Sequence, residues 1–292
     1  MHKYLRAIGF SKYNKKKDLR PLIEMVIQSS TASSLITEGN EVYGHISRAF
    51  GDRFGLRLYG EYELGQVFEP EYCFPYADSD VVSTTVPCVV ERHADKNSYG
   101  GMCEEPMIGV SLIFYLSNGL EYVRRVKNPQ ESSKITGVSL TGLCLDGRIL
   151  LPLQKTARQR AISSNVSKNR STLMEAARKG DEQAMESLAM EDMNLVQQIS
   201  SRIIEEDIYS LVDTCFMPYG LECDIYSVIG EILSYEIVRN HVSGEEMYRF
   251  LLNCNDMKLS IMINRMDLLG EPAVGRRFKG DIWLQGKAEF ED

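Results

Sequence analysis

The sequence predicts an α+β protein: an N-terminal antiparallel sheet with helices, a helical connecting segment, and a small C-terminal antiparallel β domain with the makings of a barrel. Three observations carry this. Two stretches of helical period lie before residue 51. Period-two alternation then dominates to about residue 153 and resumes from Thr214 to the end. Between them the chain turns basic, polar and helix-forming. The expected domains are 1–154, 155–213 and 214–292.

The elements follow in order. KKKDLRPLIEMVIQSS predicts a helix over Lys17–Ser29, with Leu19, Leu22, Ile23, Val26 and Ile27 on one face and Pro21 in its first turn. A second helix is expected over Asn40–Phe50, ending at Gly51, with Val42, Ile46, Ala49 and Phe50 as its stripe. RFGLRLYGEYELG then alternates as a half-buried strand does. An irregular Pro-containing loop leads to VPCVVERH, another strand. MIGVSLIFYLSNGLEYVRR reads as a hairpin turning at Asn118-Gly119, and SLTGLCLDGRILLPL as a second one turning at Asp146-Gly147. KTARQRAISSNVSKNRS reads as a basic linker, and the text from Ser171 to Val212 as helical, with Gly180 closing one helix and Asp181 capping the next. A long strand with a bulge or bend at Gly230 runs through DIYSVIGEILSYEIV. MYRFLLNC, MKLSIMIN and RFKGDIWLQGKAEF complete the β segment.

Composition narrows the function. The 292 residues are 43% hydrophobic and 25% charged, with a net charge of −8. Such a chain is repelled as a whole by nucleic acid and by anionic membranes. The start, MHKYLRAIGFSKYNKKK, is basic without the apolar core of a signal peptide, and no apolar run approaches a bilayer's thickness. Seven Cys without close-paired spacing fit a reduced compartment. The expectation is a cytoplasmic protein without a membrane partner. HExxH, GxSxG, GxGxxG and the Walker A motif are all missing, and four His leave little material for His-rich metal chemistry.

MHKYLRAIGFSK, ERHADKNSYGGMC, LIFYLSNGLEY, FMPYGLECDIYSVIG and GEPAVGRRFKGDIWLQG together resemble a family of unknown function from clostridial Firmicutes, over the full length of the chain. The resemblance implies a bacterial, cytoplasmic setting. It brings no catalytic residues with it.

Two stretches carry candidate sites. In VVERHADKNSYGGMCEEP, Cys103 with His93 as base and Glu91 or Asp95 as orienter would be a nucleophile set. Cys73, Cys88, His93 and Cys103 offer four ligands to zinc, but without a CxxC pair, and Cys88 and His93 five apart on a strand face opposite ways. The competing reading is a loop tied by Arg92, Asp95 and Tyr99, with a turn at Gly100-Gly101 and Cys103 packed as a small hydrophobe, and the residue types favour it. In the last strand, Phe278, Ile282, Leu284, Ala288 and Phe290 face a core, which turns Arg277, Lys279, Trp283, Gln285 and Lys287 outward. Basic residues around the only Trp suit a protein contact, or a single-stranded nucleic acid, which the acidic balance disfavours. Asp78 and Asp80 read as a solvated turn, and Gly270 and Gly275 as a turn needing positive φ. No cofactor is expected. The leading expectation is a non-catalytic protein-interaction protein or one that self-associates. The alternatives are a metal- or Cys-dependent enzyme centred on Glu91, His93 and Cys103, and a nucleic-acid binder through the C-terminal strands.

Overall fold

Helix α1 (Lys16–Gln28) forms where the 3.6-residue pattern placed it and buries Leu19, Leu22 and Val26. Pro21 sits one turn later than expected, inside the helix. The computed structural model describes residues 3–13, 15–30, 32–38, 41–62, 68–93, 98–106, 108–152, 169, 172–174, 176–177, 179–203 and 212–291. The expected basic linker and Asp95 lie outside them, as does the far end of the helical text.

Beside α1 stands a four-stranded antiparallel sheet, β1 (Ala32–Glu38), β2 (Glu41–Gly51), β3 (Phe54–Tyr62) and β4 (Phe68–Ala77), in that order. Two expectations fail here. The helix expected over Asn40–Phe50 is β2, because both of its faces are buried: Ile46 at 6% and Phe50 at 1% exposure on one side, Tyr43 at 4% and Ser47 at 4% on the other. A strand covered twice loses its alternation, and its apolar residues then fall at helical spacing. The Pro-containing loop is β4, an edge strand, where Pro70 and Pro75 cost no ladder bond.

Ten strands make the second sheet: β5 (Cys88–Arg92), β6 (Tyr99–Glu105), β7 (Val110–Leu116), β8 (Ile135–Leu150), β9 (Cys215–Pro218), β10 (Ile225–Arg239), β11 (Glu246–Cys254), β12 (Met257–Asn264), β13 (Leu268–Leu269) and β14 (Arg277–Phe290). Helix α2 (Gly119–Lys127) follows β7, and α3 (Glu182–Ile203) lies between β8 and β9. Strand β8 pairs with β12 on one edge and with β14 on the other, so β8, β12, β11, β10 and β14 close a ring of five. Phe250, Leu252, Ile261, Ile263, Phe278 and Ile282, at 0–1% exposure, pack around Cys144 and Cys254.

The ring does not belong to the C-terminal segment alone. β8 comes from before residue 154 and contributes an edge to β12 and to β14. The excursion between β8 and β9 leaves and returns at one point: the Arg277 guanidinium donates to Leu151 O at 2.9 and 3.0 Å and also to Val212 O.

Neither expected hairpin forms. SLTGLCLDGRIL is one strand, and Gly147 in it is a packing glycine, since a Cβ there would stand 2.7 Å from the Phe278 ring and 2.8 Å from Ile263. Asn118-Gly119 opens α2 instead of turning a hairpin. The Asn118 amide pairs with Ala288 N and O, at 2.9 Å each, as a strand residue would. A two-residue hairpin turn instead joins β11 to β12 at Asn255-Asp256, with φ of 50° and 65°. In β10 the bulge falls between Ile232 and Ser234 rather than at Gly230, which lies 2.5 Å from Cys254 Sγ by its Cβ position. The Gly180–Asp181 reading agrees with the structure: Asp181 Oδ1 accepts from Gln183 N and Ala184 N at 3.0 and 3.2 Å. Gly270 and Gly275 take positive φ, as the turn required.

One glycine in the first sheet tests the register. A Cβ on Gly60 would lie 1.9 Å from Glu69 O, at the irregular step between β3 and β4. Gly60→Ala is therefore expected to cost about 1–3 kcal/mol by overpacking against backbone, read from the urea midpoint.

Candidate functional site

Strands β5 and β6 pair with Cys88 opposite Cys103, Val90 opposite Gly101 and Arg92 opposite Tyr99. Cys103 and Tyr99 point inward, at 1% and 7% exposure. Val89, Glu91 and His93 take the other face, where His93 Nε2 lies 3.4 Å from the Cβ position of Gly100. The expected set is thus split by the sheet: Glu91 and His93 are exposed outside, and Cys103 is buried inside. Gly100 and Gly101 make no turn; they lie within β6, with the Phe114 ring against Gly101. Burial pushes the Cys103 thiol up to about 12, opposite to what a nucleophile needs at neutral pH. The four zinc candidates do not converge either. Cys73 sits in the first sheet opposite Leu58, on the face packed under α1. Among the described residues no group of three or more His, Cys, Asp and Glu is placed to hold a metal ion.

The face of β14 expected to be outward is largely covered, by the first sheet at Trp283 and Gln285 and by Leu151 and Val212 at Arg277. Arg277, Trp283 and Gln285 are 4%, 4% and 1% exposed; only Lys279 and Lys287 are half-buried. Arg277, Trp283 and Gln285 each have hydrogen-bond partners, as burial demands. Trp283 Nε1 donates to Asp224 Oδ2 at 2.7 Å, while its ring stacks on Tyr4 at 5.4 Å and meets Tyr115 at 5.6 Å and Phe74 at 5.8 Å. Gln285 donates to Pro75 O at 2.8 Å and accepts from Ala77 N at 3.2 Å, so it docks β4 onto β14. Alternation correctly separated the two faces of β14. It carried no sign that a second sheet lies over the polar one.

That interface holds a polar, aromatic layer. Register puts His45, Ser47, Arg57, Tyr59, Tyr72 and Phe74 on the face turned to β7 and β14. Arg57 donates to Ser117 O and lies 4.7 Å from the Tyr76 ring. His45 Nδ1 and Arg57 Nε are buried without a hydrogen-bond partner. Burial, with the Arg57 charge second, pushes the His45 imidazole down to about 3. Burial raises the Asp78 carboxyl, and Arg57 and Lys287 partly offset it. Of the expected solvated turn, Asp80 is exposed and Asp78 is half-buried.

The feature missed entirely by sequence is a cleft of about 350 Å³ on the outer face of the ring. Its floor is Ser234 and Glu236 of β10, Arg249 and Leu251 of β11, and Ser260 of β12; its wall is Arg53 and Asp78–Val81. Charges alternate along it. Arg53 pairs with Asp80 and, at 3.0 Å, with Asp52; Arg249 pairs with Asp52 at 3.1 Å and with Glu236 at 3.2 Å. Arg53 holds φ of 58° in the two-residue turn between β2 and β3, a strained conformation for a side chain of that size. Beside the cleft, which Tyr235 also lines, β10 exposes Leu233 at 36%, Tyr235 at 40% and Ile237 at 49%. β14 pairs with β10 only as far as Glu231, and Ile232 bonds Gly275 and Arg276. From Leu233 to Val238, β11 is the one strand paired with β10 among the described residues. Residues so far apart in the chain leave no local motif to read.

A model for the domain of unknown function DUF3881, described from an E. rectale gene, matches residues 5–286. The chain belongs to this family. The DUF3881 match covers nearly the whole sequence and agrees with the clostridial resemblance read from its segments. No curated protein and no solved structure matches the chain. No helix among the described residues is long and apolar enough to cross a membrane.

Proposed function

We propose that this DUF3881 protein is a non-catalytic binding protein whose partner is another protein, gripped along the outer edge of β10. The observation that carries this reading is the strip Leu233–Val238, which has one paired strand, three exposed apolar side chains and a charged cleft at its side. Scattered exposed apolar residues mean little. On an unpaired strand edge they are the contact set that an added strand uses, with backbone bonds for affinity and side chains for selection. Arg53, Asp80, Arg249 and Glu236 would select the partner's charge, and the aromatic–Arg composition is that of binding hot spots.

The enzyme reading has lost its geometry, since the sheet separates Glu91 and His93 from Cys103. A nucleic-acid platform has lost its aromatic, since Trp283 is buried. The test is capture from cells with the wild-type chain and with Tyr235→Ala/Ile237→Asp. The expected result is a stoichiometric protein partner lost in the variant, which keeps a cooperative urea transition although it loses the Tyr235 ring contacts with Tyr248 and Phe250. Sedimentation velocity separates a second copy of the chain from a foreign partner. An identical captured set with both chains overturns the reading.

A further inference from the structure

Cys88 and Cys103 lie directly opposite each other on antiparallel β5 and β6. One backbone bond fixes the kind of pair they make. His93 N donates to Ser98 O at 2.9 Å, so His93 and Ser98 are a hydrogen-bonded pair of this ladder. Alternation then makes Glu91 and Val89 hydrogen-bonded positions, and Arg92, Val90 and Cys88 non-hydrogen-bonded ones. Opposed Cα atoms of a non-hydrogen-bonded pair stand about 4.5 Å apart with side chains leaning together. That separation falls within the roughly 4.4–6.8 Å that a disulfide spans. Both thiols are free; Cys103 is buried at 1% exposure, whereas Cys88 is partly open on the last strand of the sheet.

We propose that Cys88 and Cys103 are a redox modification site: a small disulfide oxidises them to one cross-strand disulfide that staples β5 to the sheet. The Cys88 thiolate attacks one sulfur of the small disulfide, whose S–S bond breaks and releases one thiolate. The Cys103 thiolate then attacks the Cys88 sulfur and releases the second. The protein gives up two protons and two electrons, and the small disulfide becomes two thiols. Cys88 reacts first because it is the more accessible of the two. Burial holds Cys88 at about 11 and Cys103 at about 12, so thiolate is scarce at neutral pH and the site answers sustained oxidation slowly. The rate should rise about tenfold per pH unit below those values. This inference stands apart from the binding reading, since it uses no residue of the β10 strip.

The experiment incubates the protein with oxidised glutathione at pH 8.5, then alkylates it under denaturing conditions for peptide mass mapping. The expected result is a fragment linking Cys88 to Cys103, lighter by two hydrogens and reopened by dithiothreitol. In Cys103→Ser the same treatment should leave glutathione stably on Cys88. Two results overturn the proposal: both thiols alkylated as in the untreated chain, or a glutathione adduct that persists on Cys88 in the wild type.

Discussion

Trp283→Ala is expected to destabilise the protein by about 3–5 kcal/mol, the range for removing a buried aromatic. The side chain is 4% exposed and touches Tyr4, Phe74 and Tyr115, which come from the N-terminal turn, the first sheet and β7. Truncation opens a cavity where these elements meet and leaves the Asp224 carboxylate, already raised by burial, without its indole donor. Trp283→Phe keeps most of the packing and loses the donor, so its cost should be smaller. Because Trp283 is the only Trp, its blue-shifted emission reports the intact interface directly. Urea midpoints for the three proteins check the order. A Trp283→Ala chain as stable as wild type would show that this residue anchors no interior contact.

Stability is also expected to fall steeply in acid, through His45. Its folded pKa, about 3, lies below the ordinary value of 6.5. The unfolded chain therefore binds a proton that the folded chain refuses, and stability rises with pH across that interval. The contribution is fully present above about pH 6.5 and is lost as pH falls toward 3, a change on the order of 5 kcal/mol at ~1.4 kcal/mol per pKa unit. Asp78 works in the opposite sense, because its raised carboxyl takes up a proton earlier when folded. The comparison that isolates His45 is His45→Phe, which also removes the unpartnered Nδ1. Urea midpoints at pH 7, 5.5 and 4 should converge for the variant relative to wild type at neutral pH and diverge in acid, with wild type falling faster. Parallel curves would reject the assignment.

Much of this fold was legible where residue type and spacing a few positions apart decide the element. Helix α1, strands β3, β5, β11, β12 and β14, the Asp181 cap and the Gly270–Gly275 turn all follow local rules of spacing, capping and positive φ. Reading failed at β2 and at the packing glycines. β2 is covered by α1 on one face and by the polar layer on the other, so Val42, Ile46 and Phe50 imitated a helical stripe. The glycines at 100, 101 and 147 looked like turns, yet at 101 and 147 each makes room for a neighbouring ring, which no local pattern reveals.

The sequence by itself determined the α+β class, the family, the acidic balance and the polarity of each face of β14. Those are properties of composition and of residues a few positions apart. Only the tertiary structure decided that Arg277, Trp283 and Gln285 are internal ties, that Glu91 and His93 stand across a sheet from Cys103, and that Cys88 faces Cys103. It alone built the cleft from Arg53, Asp80, Glu236 and Arg249. The physical reason is the same throughout: a strand's own pattern states which residues share a face, whereas the identity of what covers that face is set by strand order and register between segments distant in the chain.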